Sequence, residues 1–498
     1  MYRCYTGAQI RSAEQPRLAA GEGPTLMRTA AWGLAHHTLE LLRNRGAVYG
    51  SHVLGLVGKG NNGGDTLWAL SFLAVRGVAI SAAPVHAELT DLHADGFAAF
   101  RRAGGRFVQH IDPETDVVID GVFGTGLRGP FDLPGYLAAH ELHIPESASI
   151  VACDIPSGVD ADTGDIPGTS LKADLTVTFG GPKVGLLAGA GAQHAGKVRV
   201  VDIGIGTELA AVERPWWVAE EADVARYFGP PSWDVHKYSR GVLSVVAGSP
   251  EYPGAAVLVV NAAAATGVGY ISLVAEPPRG KVVADQVLIA NPQAVIEDRI
   301  TPKATALVVG PGLGETVRGQ HSAGTSLRTA LEHNLPVLVD ASGLDVLETQ
   351  VLDEDFAALI LTPHVGEMQR LTKRLAPDLA DDNVVTQAEQ FAKRFGVWVV
   401  LKAATTYVFG PNGMRSLHPP YTAELATAGT GDTLSGILGA GLAALDPEDD
   451  AFHEQLFTML TAGVRLHSMA GQLAAADGGV VVSTLQDYIR QAKQLVLE

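Results

Sequence analysis

Short apolar runs recur along this chain, and most are followed at once by a cluster of glycine and polar residues. In the first half these runs are His52–Val57, Thr115–Asp120 and Ser149–Cys153. In the second half they are Val242–Ala247, Ala306–Val309, Pro336–Asp340, Leu359–Leu361 and Trp398–Leu401. Their length and β-branched content predict buried strands, and the helical patterns between them predict an α/β chain with parallel sheets. A helical pattern also runs from Thr6 to about Arg45, broken near Gly21 to Pro24. The uncharged run Gly254 to Ala275 has the length of a membrane span, but it contains Asn261 and internal glycines and follows Pro253. It predicts a buried helix and then a buried strand, Tyr270–Val274.

The alternation divides in two. One set of strands and helices ends near Ile205 and another begins at Gly241, so domains are expected at residues 1–214 and 222–498. Between them, Arg214 to Trp217 and Gly229 to Trp233 hold neither period and read as a linker, whose three tryptophans suggest packing on a domain. A length of 498 residues exceeds a single core. A formal charge of −18 argues against nucleic acid and anionic membranes as partners. Cys4 and Cys153 are the only cysteines, which excludes a disulfide framework; with no visible signal peptide, a cytoplasmic protein is expected.

Candidate chemistry sits where strands end. Gly58 to Asp65 is glycine-dense and holds Asn61 and Asn62, yet it matches neither the Walker pattern nor the dinucleotide fingerprint. The two Asn carbonyls suit a ligand hydroxyl or a hard monovalent cation. Asp120 and Asp154 each close a strand, before Gly121 to Pro130 and before Ile155 to Asp160. If the sheet is parallel, all three loops open at one edge.

The runs Gly60 to Asp65, Asp120 with Phe123 to Leu127, and Asp154 to Gly158 resemble the NAD(P)H-hydrate epimerase family, as does the opening helix Gln9 to Glu14. The resemblance implies a Rossmann-like αβα domain that interconverts R and S hydrates of NADH and NADPH. It implies potassium at Asn62, Asp120 and Ser157. The implied hydrate surface is Asn61, Asn62, Gly63, Gly64 and Asp65, then Gly124, Thr125, Gly126, Leu127, Arg128, Gly129 and Pro130, with Asp154 also the candidate base. Thr66-Leu67 departs from the family at a position where glycine is common.

In the second half the strands end at Gly248, at Gly310 to Gly314, at Asp340, at Thr362 to Met368 and at Lys402 to Thr406. The chain then reaches Gly429-Thr-Gly-Asp432, before an apolar run. A helix starting near Asp432 would aim free N–H groups at an anion and place a carboxylate beside it; a capped glycine turn is the plainer alternative.

The segments Gly310 to Gly314, Thr362 to Met368 and Ala428 to Asp432 resemble, in order, the ADP- or ATP-dependent NAD(P)H-hydrate dehydratase family, of ribokinase-like fold. The resemblance implies hydrate contacts at Ala255, Gly314, His364 and Asp432. It implies a nucleotide site at Lys402, Ala403, Ala404, Thr405, Thr406 and Gly431. Mg²⁺ and ADP are the expected cofactor and co-substrate, with Asp432 the base. The stretch from Asp340 to Leu344 lacks the family's second aspartate, which puts Ser342 in doubt, and Ala403 replaces a common glycine. Partners are expected to be NADHX, NADPHX and ADP, in a homo-oligomer without nucleic acid or membrane. The alternative is a ribokinase-like vitamin kinase fused to a non-catalytic ligand-binding domain.

Overall fold

The structure, a computed structural model, describes residues 1–127, 129–275, 280–314 and 316–497. The chain forms two compact units, residues 3–216 and residues 217–498 joined by 1–2.

In the first unit the helical pattern of the N-terminus resolves into helices Gly7–Ala19 and Gly23–Asn44, with the break where Gly21 has φ +81°. The sheet has seven strands. Across it they run Arg106–Phe107, Ala79–Pro84, His52–Val57, Val117–Gly121, Ser149–Cys153, Leu175–Phe179 and Lys197–Val201, and every pairing is parallel. Alternate residues of one strand face different cores: Val53 and Val57 join one cluster, Leu54 and Leu56 another. Apolar burial on both faces is what makes these runs continuous rather than alternating. From His52–Val57 the chain builds outward one way, then returns to Val117–Gly121 on the other side. That reversal is a topological switch point, where loops at the carboxyl ends of strands part and leave a crevice.

In the second unit the strands Trp398–Leu401, Leu359–Leu361, Val337–Val339, Ala306–Val309, Val242–Val246, Tyr270–Val274 and Val295–Glu297 lie side by side and parallel. Thr406–Phe409 and Arg415–His418 continue the sheet antiparallel. The uncharged run is helix Pro253–Thr266 followed by Tyr270–Val274, and no helix of the described residues is long and apolar enough to cross a membrane. Helix Thr430–Ala443 packs on Pro253–Thr266 so closely that a Cβ on Gly436 would stand 2.3 Å from the Val259 carbonyl. Small residues on both helices permit that approach.

The expected linker is largely folded. Trp216–Val218 is a strand, with Trp217 paired to Ser416, and Glu221–Phe228 is a helix that buries Val224 and Phe228. Neither element is long enough to show a period in sequence. Trp233, by contrast, is 97% exposed.

Candidate active sites

Four strand ends of the first unit converge on one cavity of about 560 Å³, lined by Glu14, Asn61, Asn62, Asp65, Thr125, Asp154 and Lys183 among others. Helix Asn61–Ala74 begins at Asn61 with Gly60 as its cap residue and no side-chain cap, so its first N–H groups are left for a ligand. Asn62 Nδ2 donates to the Cys153 carbonyl at 2.7 Å. A Cβ on Gly124 would stand 2.5 Å from Asn62 Oδ1, so only glycine lets that loop close on the amide.

Asp120 is fully buried. It accepts from Ser157 N at 2.8 Å, Ser157 Oγ at 2.6 Å and Val122 N at 3.4 Å. Burial pushes its carboxyl up, against the pull of those donors. Asp120 and Ser157 are thus bonded directly, whereas the Asn62 amide bonds to the Cys153 carbonyl, at the start of the loop that carries Ser157.

Asp154 sits just past its strand with φ +68°, a left-handed conformation that an aspartate adopts at some cost. Its Oδ1 accepts from Lys183 Nζ at 2.5 Å, Thr178 Oγ1 at 3.1 Å and Phe179 N at 3.2 Å. Lys183 is 1% exposed and also donates to Thr178 Oγ1 and the Phe179 carbonyl. Sequence reasoning missed Lys183. The signal was present, since Gly180-Gly181-Pro182-Lys183 closes strand Leu175–Phe179 in the same glycine-rich manner as the others.

Asp65 is buried, and its Oδ1 has no hydrogen-bond partner among the described residues. Burial first, then the charges of Asp154 and Glu14, push its carboxyl well above the ordinary range. Glu14 is raised too, mainly by burial. Gly63 and Gly64 pack against Gly58 and His93. Gly126, Gly129 and Pro130 lie exposed on the loop beyond Thr125, with Leu127 partly covered, and none of the four lines the cavity. Arg128 lies outside the described residues.

The second unit builds its site at the carboxyl edge of the parallel strands. Gly310 (φ +122°), Gly312 (φ +65°) and Gly314 (φ +75°) turn the chain after Ala306–Val309. A Cβ on Gly312 would meet that of Ala255 at 2.5 Å, and one on Gly314 would stand 3.9 Å from the Tyr252 ring. Ser342, whose role the sequence left in doubt, donates to the Gly310 carbonyl at 3.0 Å and ties two loops together.

His364 caps helix Val365–Leu375. Its Nδ1 accepts from Gly366 N at 3.0 Å and Glu367 N at 3.2 Å, while Glu367 Oε2 accepts from His364 N at 2.7 Å. The ring thus has a structural task, and its Nε2 lies 3.4 Å from Glu367 Oε1. Lys402 N donates to the Pro363 carbonyl at 2.8 Å, which brings the loop from Lys402 to Thr406 beside His364. In that loop Ala403 and Ala404 are exposed, Thr405 is buried and Thr406 opens the next strand.

Helix Thr430–Ala443 begins two residues before Asp432, with Gly429 left-handed at φ +94° as its cap. A glycine is needed there both for that φ and because Leu258 lies 2.7 Å from where a Cβ would be. A Cβ on Gly431 would stand 3.3 Å from Lys402 Nζ, so an ammonium group overhangs the turn. Lys402 Nζ also lies 2.5 Å from Asp340 Oδ1. The Asp432 carboxyl is pushed up to about 7, by burial first and by Asp340 next, with Lys402 opposing. Turn, free N–H groups, cation and carboxylate together suit an anion that is transferred to a nearby hydroxyl. A separate cavity of about 400 Å³ opens before the strands at Gly241, Thr305 and Pro336, away from all of these groups.

Residues 243–495 match the family model described as NAD(P)H-hydrate dehydratase, and residues 23–185 match the one described as YjeF-related protein N-terminus. A bifunctional NAD(P)H-hydrate repair enzyme of Mycobacterium leprae is 39% identical over 488 residues, covering 96% of this chain and 95% of its own. One of Mycobacterium tuberculosis is 40% identical over 459 residues, covering 91% of each. Among solved structures, the ADP/ATP-dependent NAD(P)H-hydrate dehydratase of Bacillus subtilis, co-crystallised with ATP/Mg²⁺, is 24% identical. It covers 57% of this chain and all of its own, with a TM-score of 0.47.

Proposed function

The chain belongs to the family of bifunctional NAD(P)H-hydrate repair enzymes, and on that premise we propose how its two sites divide the work. The first unit is an epimerase of R- and S-NAD(P)HX. The second is a dehydratase that returns S-NAD(P)HX to NAD(P)H.

In the epimerase cavity Asp154 is the base. All three donors to its carboxylate go to Oδ1, which leaves Oδ2 for the hydrate's C6 hydroxyl. As that proton leaves, the C6–N1 bond opens to an aldehyde and the ring nitrogen takes a proton from Asp65. Closure on the other face returns both protons and gives the epimer. Asp65 suits the acid role because burial raises its carboxyl, so it holds its proton to higher pH than an ordinary aspartate. The free N–H groups of helix Asn61–Ala74 face the pyrophosphate.

Potassium fits Asn62, Asp120 and Ser157. Asp120 is fully buried and its recorded donors, Ser157 and the Val122 N–H, are neutral, so a monovalent cation supplies charge that the protein does not. When bound, the ion steadies phosphate and loop oxygens and does no redox chemistry.

In the dehydratase site ADP is the phosphoryl donor, giving AMP and phosphate, and Mg²⁺ when bound neutralises charge on the nucleotide's own oxygens. Lys402 to Thr406 and Gly431 hold the nucleotide, while Ala255, Gly314 and His364 position the hydrate. Asp432 takes the C6 hydroxyl proton as the oxygen is phosphorylated; phosphate then departs with loss of a C5 proton, and the dihydropyridine is restored. The observation that carries this reading is Lys402 overhanging Gly431 beside a carboxyl pushed up to about 7. Two buried cysteines outside any disulfide suit a reducing, cytoplasmic setting, and light scattering checks the expected homo-oligomer.

The deciding experiment gives the full-length chain a racemic hydrate with ADP or ATP and follows NADH. Complete conversion is expected with ADP. Arrest at half the substrate would mean a silent epimerase, and a stable phosphorylated product without NADH would favour the vitamin-kinase alternative.

A further inference from the structure

Asp340 follows strand Val337–Val339 and is 1% exposed. Both of its oxygens are engaged. Oδ1 faces Lys402 Nζ at 2.5 Å and Oδ2 accepts from Ser435 Oγ at 2.7 Å. Lys402 arrives from two strands away, past Leu359–Leu361, and its ammonium overhangs Gly431. Ser435 lies on the helix of Asp432, three residues further along. One buried carboxylate therefore fixes the cation above the glycine turn and the helix that carries the base.

We propose that Asp340 is a positioning residue of the phosphoryl-transfer site, which holds Lys402 across the anion-binding turn and tunes Asp432 as a base through its charge. This rests on the assignment of Asp432 as the base. The other elements packed on helix Thr430–Ala443 leave the field at Asp432 to Asp340 and Lys402. Helix Pro253–Thr266 and strands Val242–Val246 and Ala306–Val309 carry no titratable side chain. Helix Phe452–Ala476 carries His453, Glu454, Arg465 and His467; of these His467 meets the Thr430 backbone, and burial lowers it to about 4, so it is uncharged at neutral pH. His364, on the loop beside Lys402, has its Nδ1 committed to two N–H groups. Behind burial, the like charge of Asp340 raises the Asp432 carboxyl and the opposite charge of Lys402 lowers it.

The test is the pH dependence of kcat/KM for dehydration of S-NADHX with ADP by the full-length chain, read as NADH formation. Asp340→Asn removes the like charge and moves the acid limb to lower pH by on the order of one unit. It also lowers kcat at the optimum about 10- to 100-fold, because Lys402 loses its anchor and the base weakens. Lys402→Gln leaves Asp340 uncompensated and moves the same limb to higher pH. These opposite displacements are the signature. A merely structural Asp340 slows the enzyme and leaves the limb in place, and that result overturns the proposal. If Asp340→Asn does not fold, Lys402→Gln decides alone, and an unmoved limb overturns it. Asp432→Asn separates the proposal from its premise: dehydration that persists there with the wild-type limb removes the assigned base, and the tuning of it with it.

Discussion

Lys183 Nζ lies 2.5 Å from Asp154 Oδ1 with 1% of the lysine exposed, and its contacts with Thr178 Oγ1 and the Phe179 carbonyl use the rest of the ammonium's donors. A lysine so committed has no proton direction left toward a substrate. It anchors Oδ1 of Asp154, a left-handed residue that lines the cavity.

Lys183→Met is expected to cut epimerisation by about 100-fold or more and to destabilise the first unit by about 3–5 kcal/mol, because it leaves a buried carboxylate unpaired. Lys183→Met with Asp154→Asn removes both charges and should recover most of that stability without recovering activity. Thermal unfolding and a chiral assay of separated R-NADHX check the two halves of the prediction. Recovery of activity along with stability would sink the role given to the pair.

Asp65→Asn keeps the shape and removes the proton. Epimerisation should fall by about 100- to 1,000-fold in kcat with KM little changed. In the parent enzyme the epimerase loses activity as pH rises through the raised Asp65 value, since the acid must be protonated. An increase in KM at constant kcat would instead make Asp65 a binding group.

Dehydration should fall on the acid side of neutrality. In the proposed role Asp432 acts unprotonated, and its carboxyl is pushed up to about 7, so kcat/KM should lose about tenfold per unit below that pH. Epimerisation, which depends on other groups, should not share this limb. Parallel profiles of the two activities on one preparation make the comparison, and a dehydratase flat down to pH 5 would contradict the base assignment.

Stability of the second unit should also depend on pH, through His418 and His467. Burial lowers them to about 3 and about 4, from the ordinary 6.5. Below 6.5 the unfolded chain gains protons that the folded chain refuses. The histidine contribution is therefore full above about pH 6.5 and declines as pH falls toward 4, by about 1.4 kcal/mol per pH unit for each proton of difference, while Asp432, raised to about 7, contributes with the opposite sign over the same range. Replacing His418 with Gln should flatten the decline in a urea-unfolding series; an unchanged slope would mean that the imidazole takes up protons while folded.

The strands were legible in sequence because burial on both faces of a parallel sheet writes itself as a local apolar run. His52–Val57, Ser149–Cys153, Ala306–Val309 and Trp398–Leu401 are found with the predicted bounds. The glycine turns were legible for the same reason, since a close approach or a left-handed φ must be met by the residue at that position. The helix of Asp432 starts two residues earlier than its cap chemistry suggested, because Gly429 rather than Asp432 supplies the cap.

Sequence alone thus determined the strands, the turns that end them and, through the order of those turns, the family. Tertiary structure decided which charges meet. Asp154 and Lys183 follow neighbouring strands, but Asp340 and Lys402 are separated by the strand Leu359–Leu361, and Ser435 comes from a helix above the sheet. Periodicity reports on residues a few places apart. A side chain that reaches over an intervening strand depends on strand order and on the length of a lysine stem, neither of which any local stretch contains.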